Sequence, residues 1–428
     1  MRPLLAVLRL VAGHDINFVR DAGYIIEAVV VAVWVALGVA AGTSLCVAGG
    51  RGRACKAARC GASRRGAVTA VASAWVLAAA YCAYPWHVRE VRRGADVGVG
   101  NEAQPALRIA TFNLRASDID DGPVNGWPAR KGRTADALAD LGAVIVGTQE
   151  GTQEQLEYLT AGTHWRWFGA AAEVGGHVYD TAVLYNSTAA ILRAGDTVWL
   201  SDTPAVPGTK LADSALYRTL TWGLFDVATA DCAEGRHCTP VLVFNTHLDH
   251  VGEEARRAQV CVLQAVAARV VAEHGGGDGA VRQVLLGDFN TLRHTVPWHT
   301  LTAAHGCGDA PALQWRDALE VHPGRLPNDA ATFHGYNGGR YGSAAGFMIP
   351  FRTAASLGWL ATSQAPLTWH PTDSHIDWVL VRGASDADVA ATELHIINAP
   401  AADGAYPSDH YPLLLLWRLP PPPAAITA

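Results

Sequence analysis

The sequence predicts an α/β protein, a layered α/β sandwich preceded by two transmembrane helices. Short apolar runs, with few helix-like stretches between them, fill the last three quarters of the chain, a pattern that favours a sandwich over a doubly wound sheet. The first 100 residues carry 12 Lys and Arg against 5 Asp and Glu, a net charge of +7, whereas the remainder carries 21 against 34, a net charge of −13. A basic amino-terminal part beside an acidic remainder is typical of a membrane anchor joined to a soluble domain.

The composition of the whole chain excludes several classes of protein. Half of its 428 residues are apolar and only 17% are charged, against a usual charged share of roughly a quarter. This deficit excludes a disordered or coiled-coil protein. The length allows two or three domains of about 150 residues each, or one larger α/β domain.

Two charge-free segments near the amino terminus predict the membrane anchor. Residues 28–50 and 66–86 hold no charged side chain, and about 20 apolar residues suffice for a helix to cross roughly 30 Å of hydrocarbon. A buried helical hairpin is the alternative; a cleaved signal is disfavoured because the first segment starts late and a second follows it. We therefore expect residues 1–93 to form the anchor.

The basic residues between these segments predict the orientation of the anchor. Residues 51–65 contain six Lys and Arg and no acid, and loops of membrane proteins that are rich in Lys and Arg usually lie in the cytoplasm. Both termini would then lie on the extracytoplasmic or lumenal side, although Arg89, Arg92 and Arg93 oppose this orientation. A hairpin disulfide between Cys232 and Cys238 and a glycosylation sequon at Asn186 would fit that compartment.

Beyond a small-residue linker at 94–106, residues 107–418 predict the sandwich domain, and 419–428 form a Pro-rich tail. Its helix-like stretches include Arg133–Leu141 and Glu253–Glu273. The strand-like runs are Leu107–Asn113, Ala143–Thr148, Thr181–Tyr185, Val241–Asn245, Val284–Gly287, Asp377–Val381 and Leu413–Trp417.

Polar and ionisable residues follow these apolar runs repeatedly. Scaffold strands that end in open loops commonly carry active sites. The polar segments are Thr111-Phe112-Asn113, Thr148-Gln149-Glu150, Asn245-Thr246-His247, Gly287-Asp288-Phe289-Asn290, His375-Ile376-Asp377 and Ser408-Asp409-His410.

The ordered set of six segments resembles the endonuclease/exonuclease/phosphatase superfamily, whose members are similar to deoxyribonuclease I in fold. The resemblance covers about residues 107–418, and its strongest parts are the Gly-Asp-Phe-Asn and Ser-Asp-His segments. It implies a four-layer α/β sandwich with two central sheets and divalent-metal-dependent hydrolysis of phosphate esters.

The resemblance also implies roles for individual residues. Glu150 and Asp409, supported by the Asn113 amide, would hold Mg²⁺ or Mn²⁺, since carboxylate oxygens suit hard cations. Asp288 would deprotonate the attacking water and Asn290 would orient it or the phosphate.

Two histidines complete the implied catalytic set. His410, steadied by Asp377, would meet the phosphate, because a carboxylate fixes the imidazole tautomer and raises its pKa. His247 would contact phosphate or assist the leaving group; which histidine is the acid stays open. Arg218 and His375 are candidates for substrate binding.

The expected substrate is a phosphodiester, either nucleic acid or a phospholipid head group. The acidic domain lacks the basic footprint that usually binds nucleic acid, and the two apolar segments resemble the layout of membrane-bound sphingomyelinases. A specific nuclease and a lipid phosphodiesterase both remain open, and a catalytically silent binding module is the non-enzymatic alternative. No feature of the sequence indicates a protein partner.

Overall fold

The computed structural model describes residues 106–228, 238–275, 281–303, 307–308, 312–321, 331–336, 375–383 and 385–419. The predicted membrane segments 28–50 and 66–86 lie outside these residues, as do Cys232 and residues 420–428 of the predicted tail. Among the helices that are described, none is both long and apolar enough to span a bilayer.

Strands dominate the described part of the chain. In chain order they are β1 (Ala106–Asn113), β2 (Ile145–Gln149), β3 (Gly151–Thr152), β4 (Trp165–Phe168), β5 (Val178–Tyr179), β6 (Val183–Asn186), β7 (Ala190–Trp199), β8 (Thr219–Val227), β9 (Thr239–His247), β10 (Arg282–Asp288), β11 (Arg316–Asp317), β12 (Asp377–Arg382), β13 (Thr392–Ile396) and β14 (Leu413–Arg418). The helices are α1 (Gly122–Asn125), α2 (Trp127–Asp140), α3 (Gln153–Thr160), α4 (Glu253–His274), α5 (Val296–Thr302), α6 (Ala318–Val321) and α7 (Asp386–Ala390).

Two six-stranded sheets form the centre of the domain. The first sheet has the strand order β13-β14-β1-β2-β6-β4, and the second has the order β11-β12-β10-β9-β8-β7. The remaining pair, β3 and β5, forms a small antiparallel ribbon beside them. This mixed α/β arrangement confirms the predicted fold class of the domain.

Successive side chains of each strand point to opposite faces of its sheet, and this alternation produces the layers of the domain. In β1, Leu107 and Ile109 pack in one apolar cluster with Val243 of β9 and Leu286 of β10, so the two sheets face each other. Ala110 and Phe112, which point to the opposite face of β1, lie in a second cluster, which covers the outer face of the first sheet with residues of α2 and α3. A third cluster joins the outer face of the second sheet to α4 and α5. Each sheet is therefore covered on both faces, as successive side chains of a strand require.

Strand directions bring the functional segments to one edge. β1 is parallel to β2, and β9 is parallel to β10, so their carboxyl ends lie together. β12 and β14 run antiparallel to β10 and β1, and therefore begin where those strands end. We call this edge of the two sheets the catalytic edge.

Candidate active site

Asp288 occupies the centre of the catalytic edge, immediately after the apolar run of β10. Its Oδ2 accepts a hydrogen bond from Asn113 Nδ2 at 3.1 Å and lies 3.5 Å from His247 Nε2 and 3.8 Å from His410 Nε2. The backbone N–H of Asn290 donates to Oδ1. Burial, together with the negative charge of Asp377, raises the pKa of Asp288, although both histidines oppose this. Such a carboxylate is a proton acceptor poised closer to neutral pH.

His410 forms a buried pair with Asp377. Nδ1 of His410 lies 2.9 Å from Asp377 Oδ2, and this contact leaves Nε2 on the side of Asp288. Burial would lower the pKa of His410, but the charge and hydrogen bond of Asp377 outweigh it and raise that pKa to about 10. His410 is therefore an imidazolium at neutral pH, able to donate from Nε2.

His247 has an equivalent partner in Asp180. Nδ1 of His247 lies 2.7 Å from Asp180 Oδ1, and its Nε2 lies 2.9 Å from the side-chain amide of Asn290. Arg218 donates to both carboxylate oxygens of Asp180 at 3.1 and 3.2 Å. Against the effect of burial, His247 and Arg218 lower the pKa of Asp180 to about 2. Asp180 is thus a fixed anion that orients the His247 ring.

A second acidic group lies on the other side of Asn113. Asn113 Nδ2 also donates to Glu150 Oε1 at 3.1 Å, and the backbone N–H of Ala116 donates to Oε2 at 3.3 Å. Burial acts to raise the pKa of Glu150, but His247, Arg115 and other neighbours lower it to about 2. Thr152, two residues later in the chain, caps α3.

Asp409 lies beside Arg115. Arg115 Nε lies 3.7 Å from Asp409 Oδ2, and the same guanidinium forms a two-pronged pair with Asp121 at 2.9 and 3.0 Å. Burial raises the pKa of Asp409, and the charge of Glu150 adds to this, while His410 and Arg115 oppose it. The buried carboxylates of the site therefore carry more negative charge than the neighbouring cations neutralise.

Backbone strain is concentrated in the same loops. Of the described residues other than glycine, five have a positive φ, between 48° and 65°, and all lie in loops at the catalytic edge: Arg115, Glu150, Asn290, His294 and Tyr336. Such conformations cost about 1–3 kcal/mol each and gather at functional sites. The strain marks this edge independently of the titratable groups.

The donor set fits a divalent cation. Glu150, His247 and Asp288 offer ligand atoms within 4.8 Å of one another, and so do Asp288, Asp377 and His410. Carboxylate and amide oxygens are the donors that Mg²⁺ and Mn²⁺ prefer. Glu150 and Asp409, supported by the amide of Asn113, remain the predicted metal site, and the excess of buried negative charge suits a cation.

The structure brings eight of the ten sequence-predicted site residues into this cluster. Arg218 lies at the Nδ1 side of His247, away from Asp288, and its guanidinium is held by Asp180. His375 is buried, and its carbonyl accepts a hydrogen bond from the Trp378 indole.

Sequence reasoning missed three residues of the site. Asp180 and Arg115 contact it directly, and Phe333 packs on His410 with ring centroids 4.9 Å apart. The signal for Asp180 was available, because it precedes the predicted strand at residue 181 as other site residues adjoin strand ends. Arg115 likewise follows Asn113 by only two residues.

The similarity of this chain to known proteins is found at the level of the fold. Neither a family model nor a curated protein matches the sequence. Among solved structures, an endonuclease/exonuclease/phosphatase from Bacteroides vulgatus is 23% identical with a TM-score of 0.52, covering 73% of this chain and 98% of that one. A functionally unknown conserved protein from Enterococcus faecalis V583 is 22% identical with a TM-score of 0.51, covering 73% of this chain and 100% of that one.

A mannosyl-6-phosphatase from Bacteroides thetaiotaomicron is also similar. It is 21% identical with a TM-score of 0.50, and the match covers 72% of this chain and 99% of that one. Sequence identities of this size support a shared fold and nothing more specific. The described domain shares its fold with structures of endonuclease/exonuclease/phosphatase proteins.

Proposed function

We propose that this chain is a divalent-metal-dependent phosphoester hydrolase that cleaves phosphodiester bonds by attack of water. The observation that carries the proposal is the position of Asp288 Oδ2, within 3.8 Å of Asn113 Nδ2 and of the Nε2 atoms of His247 and His410. One proton acceptor thus lies between two imidazoles, each held by its own carboxylate.

The chemistry follows from these atoms. Asp288 accepts the proton of the attacking water, and the side-chain amide of Asn113 and the backbone N–H of Asn290 fix the carboxylate for that task. His410, protonated at neutral pH, donates from Nε2 to a phosphoryl oxygen as negative charge develops there. His247, with Nδ1 directed to Asp180, presents Nε2 at the same place and assists the leaving oxygen.

Glu150, Asp409 and Asn113 would hold the metal ion. When bound, Mg²⁺ or Mn²⁺ supplies positive charge that stabilises the phosphoryl oxygens in the transition state. This assignment agrees with the uncompensated burial of Asp409, whose pKa is raised by desolvation.

We also propose a membrane location, with residues 1–93 as the anchor and the hydrolase domain extracytoplasmic or lumenal. A disulfide joins Cys261 of α4 to Cys307, and such bonds persist in oxidising compartments. The side chain of Asn186 lies at an exposed turn, where its Oδ1 accepts from Thr188. Digestion with an N-glycosidase should shift the gel mobility of the eukaryotically expressed chain; labelling of the 51–65 loop from outside the cell would contradict the orientation.

An assay of the full chain tests the activity. Bis(p-nitrophenyl) phosphate, plasmid DNA, RNA and sphingomyelin are incubated with Mg²⁺ or Mn²⁺, with p-nitrophenyl phosphate included as a monoester. We expect turnover of a diester that stops when EDTA is added. A folded, metal-binding protein without turnover on any of these substrates would instead favour a binding module.

A further inference from the structure

The exposed hydrophobic side chains of the described residues are unevenly distributed. Nine large hydrophobic residues are exposed, and six of them lie in four loops at the catalytic edge, one of which includes the short helix α1 that carries Val124. We call these six, which are 41 to 70% exposed, the apolar rim: Ile119, Val124, Val174, Val206, Leu216 and Val251. Isolated exposed hydrophobics are ordinary on a protein surface, but their collection around one site marks an interaction surface.

Strand pairing shows that each of these loops borders the site. Residues 114–126 follow the carboxyl end of β1, and residues 248–252 follow that of β9. The loop from 200 to 218 leaves β7 where Trp199 pairs with Thr219, and Leu220 pairs in turn with Thr246 at the end of β9. The loop from 169 to 177 lies where Phe168 pairs with Val183, which itself pairs with Gly147 of β2.

Asp249 holds two parts of the rim together. This buried carboxylate accepts hydrogen bonds at Oδ2 from Ala215 and Leu216 N–H and at Oδ1 from Val251 and Gly252 N–H. The backbones beneath Leu216 and Val251 are therefore fixed to the loop that follows His247. Arg218, two residues beyond Leu216, contacts His247, so this part of the rim adjoins the catalytic machinery.

The charged residues in the same loops as the rim limit the kind of surface that the rim can bind. Exposed acids in the same loops are Asp118, Asp120, Glu173, Asp202 and Asp213, against the exposed cation Lys210. An acidic, apolar face disfavours a polyanion such as nucleic acid, whose binding depends on Lys and Arg. It equally disfavours an anionic lipid surface, but it suits an electroneutral bilayer into which valine and leucine side chains can insert.

We propose that the apolar rim docks the catalytic edge on an electroneutral lipid surface, so that the substrate is a phosphoester in the head-group layer of the bilayer. This inference rests on the hydrolase activity proposed above and names its substrate class. The predicted anchor and the short linker 94–106 would keep the domain next to such a surface. Six side chains on four loops then enter the interface around the site while the head group reaches Asp288.

The test compares two substrates for the same full-length protein. The Leu216→Ser/Val251→Ser double variant is assayed on sphingomyelin in phosphatidylcholine vesicles and on soluble bis(p-nitrophenyl) phosphate. We expect the rate on vesicles to fall at least about tenfold, because two inserted side chains are lost, while the rate on the soluble ester stays within about twofold. The soluble rate also reports whether the variant is folded, and Val174→Ser/Val206→Ser, at two other positions of the rim, serves as a second variant.

Ile191→Ser is the matched control. Ile191 is 52% exposed and lies in β7, the strand that precedes the 200–218 loop. It pairs with Asp226 near the start of β7, at the opposite end of the strand from the pair of Trp199 and Thr219. Its substitution should change neither rate, and the anchor is identical in every variant, so any difference arises from the rim. Replacing part of the phosphatidylcholine with phosphatidylserine should not raise the rate.

The outcomes separate the two proposals. Unchanged turnover on vesicles in both double variants would overturn the docking surface, as would cleavage of DNA or RNA with no cleavage of vesicle lipid. In either case turnover of the soluble ester would leave the hydrolase proposal intact. Lack of metal-dependent turnover of that ester by the unaltered chain would overturn the hydrolase proposal itself.

Discussion

Asp180 Oδ1 lies 2.7 Å from His247 Nδ1, and both side chains are almost wholly buried. The two residues come from different sheets, Asp180 from the turn before β6 and His247 from the end of β9. The contact repeats the arrangement of Asp377 and His410 at 2.9 Å on the other side of Asp288. Two histidines with fixed ring orientation therefore flank the Asp288 carboxylate.

The Asp180→Asn variant tests the role of this contact. An amide cannot hold the tautomer and orientation of the His247 ring as a carboxylate does, so we expect kcat to fall by about 10²-fold or more with a smaller change in KM. Steady-state kinetics on a soluble phosphodiester measure both constants. Asp226→Asn, which removes an acid paired with Arg193 on the far end of β8, should leave them unchanged; an equal loss in both variants would contradict the assignment.

The pH dependence of kcat/KM should reflect the ionisation of Asp288 and His410. The proposed mechanism requires ionised Asp288, whose pKa is raised by burial and by Asp377, so the acid limb should lie above the usual aspartate range. It also requires protonated His410, so activity should fall as the pH rises towards about 10.

Asp377→Asn removes a cause of both shifts. Without that negative charge the pKa of Asp288 and the pKa of His410 both decrease, so both limbs of the profile should move to lower pH. The measurement is kcat/KM from pH 4 to 10 for the two proteins. An alkaline limb that stays in place in the variant would show that it does not belong to His410.

Gly287 tests the backbone on which Asp288 is placed. Its φ is +144°, and a Cβ there would collide with the carbonyl group of Thr246 on the adjacent strand. Because backbone cannot move aside, we expect Gly287→Ala to lower the free energy of unfolding by more than about 1 kcal/mol. In contrast, Gly132→Ala within α2 meets no atom within 4 Å and should stabilise the protein by about 0.5–1 kcal/mol. Denaturant unfolding measures both; a neutral Gly287→Ala would contradict the close approach of β9 and β10.

The disulfide between Cys261 and Cys307 should stabilise the domain. It closes a loop over a sequence separation of 46 residues, for which a reduction of about 3–4 kcal/mol in the free energy of unfolding is expected when the bond is absent. The measurement is denaturant unfolding of the full chain and of Cys261→Ser/Cys307→Ser without reductant. The difference should disappear when both proteins are reduced, and a persistent difference would mean that the serines disturb packing instead.

The sequence patterns predicted the central strands well. All seven predicted strand-like runs overlap β1, β2, β6, β9, β10, β12 and β14, because each is a buried apolar run that ends in polar residues. The helix predicted at Arg133–Leu141 begins at Trp127 instead. Its amino-terminal signal, Pro128 in the first turn after Gly126, lies before the apolar pattern on which the prediction depended.

Long-range contacts could not be predicted in the same way. β3, β5 and β11 each have two residues, too few for any periodicity, and their pairing depends on tertiary neighbours. Asp180 adjoins a predicted strand and could be proposed as a site residue, but its contact with His247 is visible only in the folded chain. The same holds for Cys261 and Cys307, since spacing alone does not determine which cysteines pair.

The measurement that tests the central claim most directly is turnover of bis(p-nitrophenyl) phosphate by the full chain and by Asp288→Asn, with Mg²⁺ and after addition of EDTA. The claim predicts hydrolysis by the unaltered protein that requires the metal, and a fall of at least about 10²-fold in kcat for the variant, because the proton acceptor is lost. Circular dichroism of the variant should match that of the unaltered protein. Undiminished hydrolysis by a folded Asp288→Asn, or hydrolysis that EDTA does not affect, would contradict the claim.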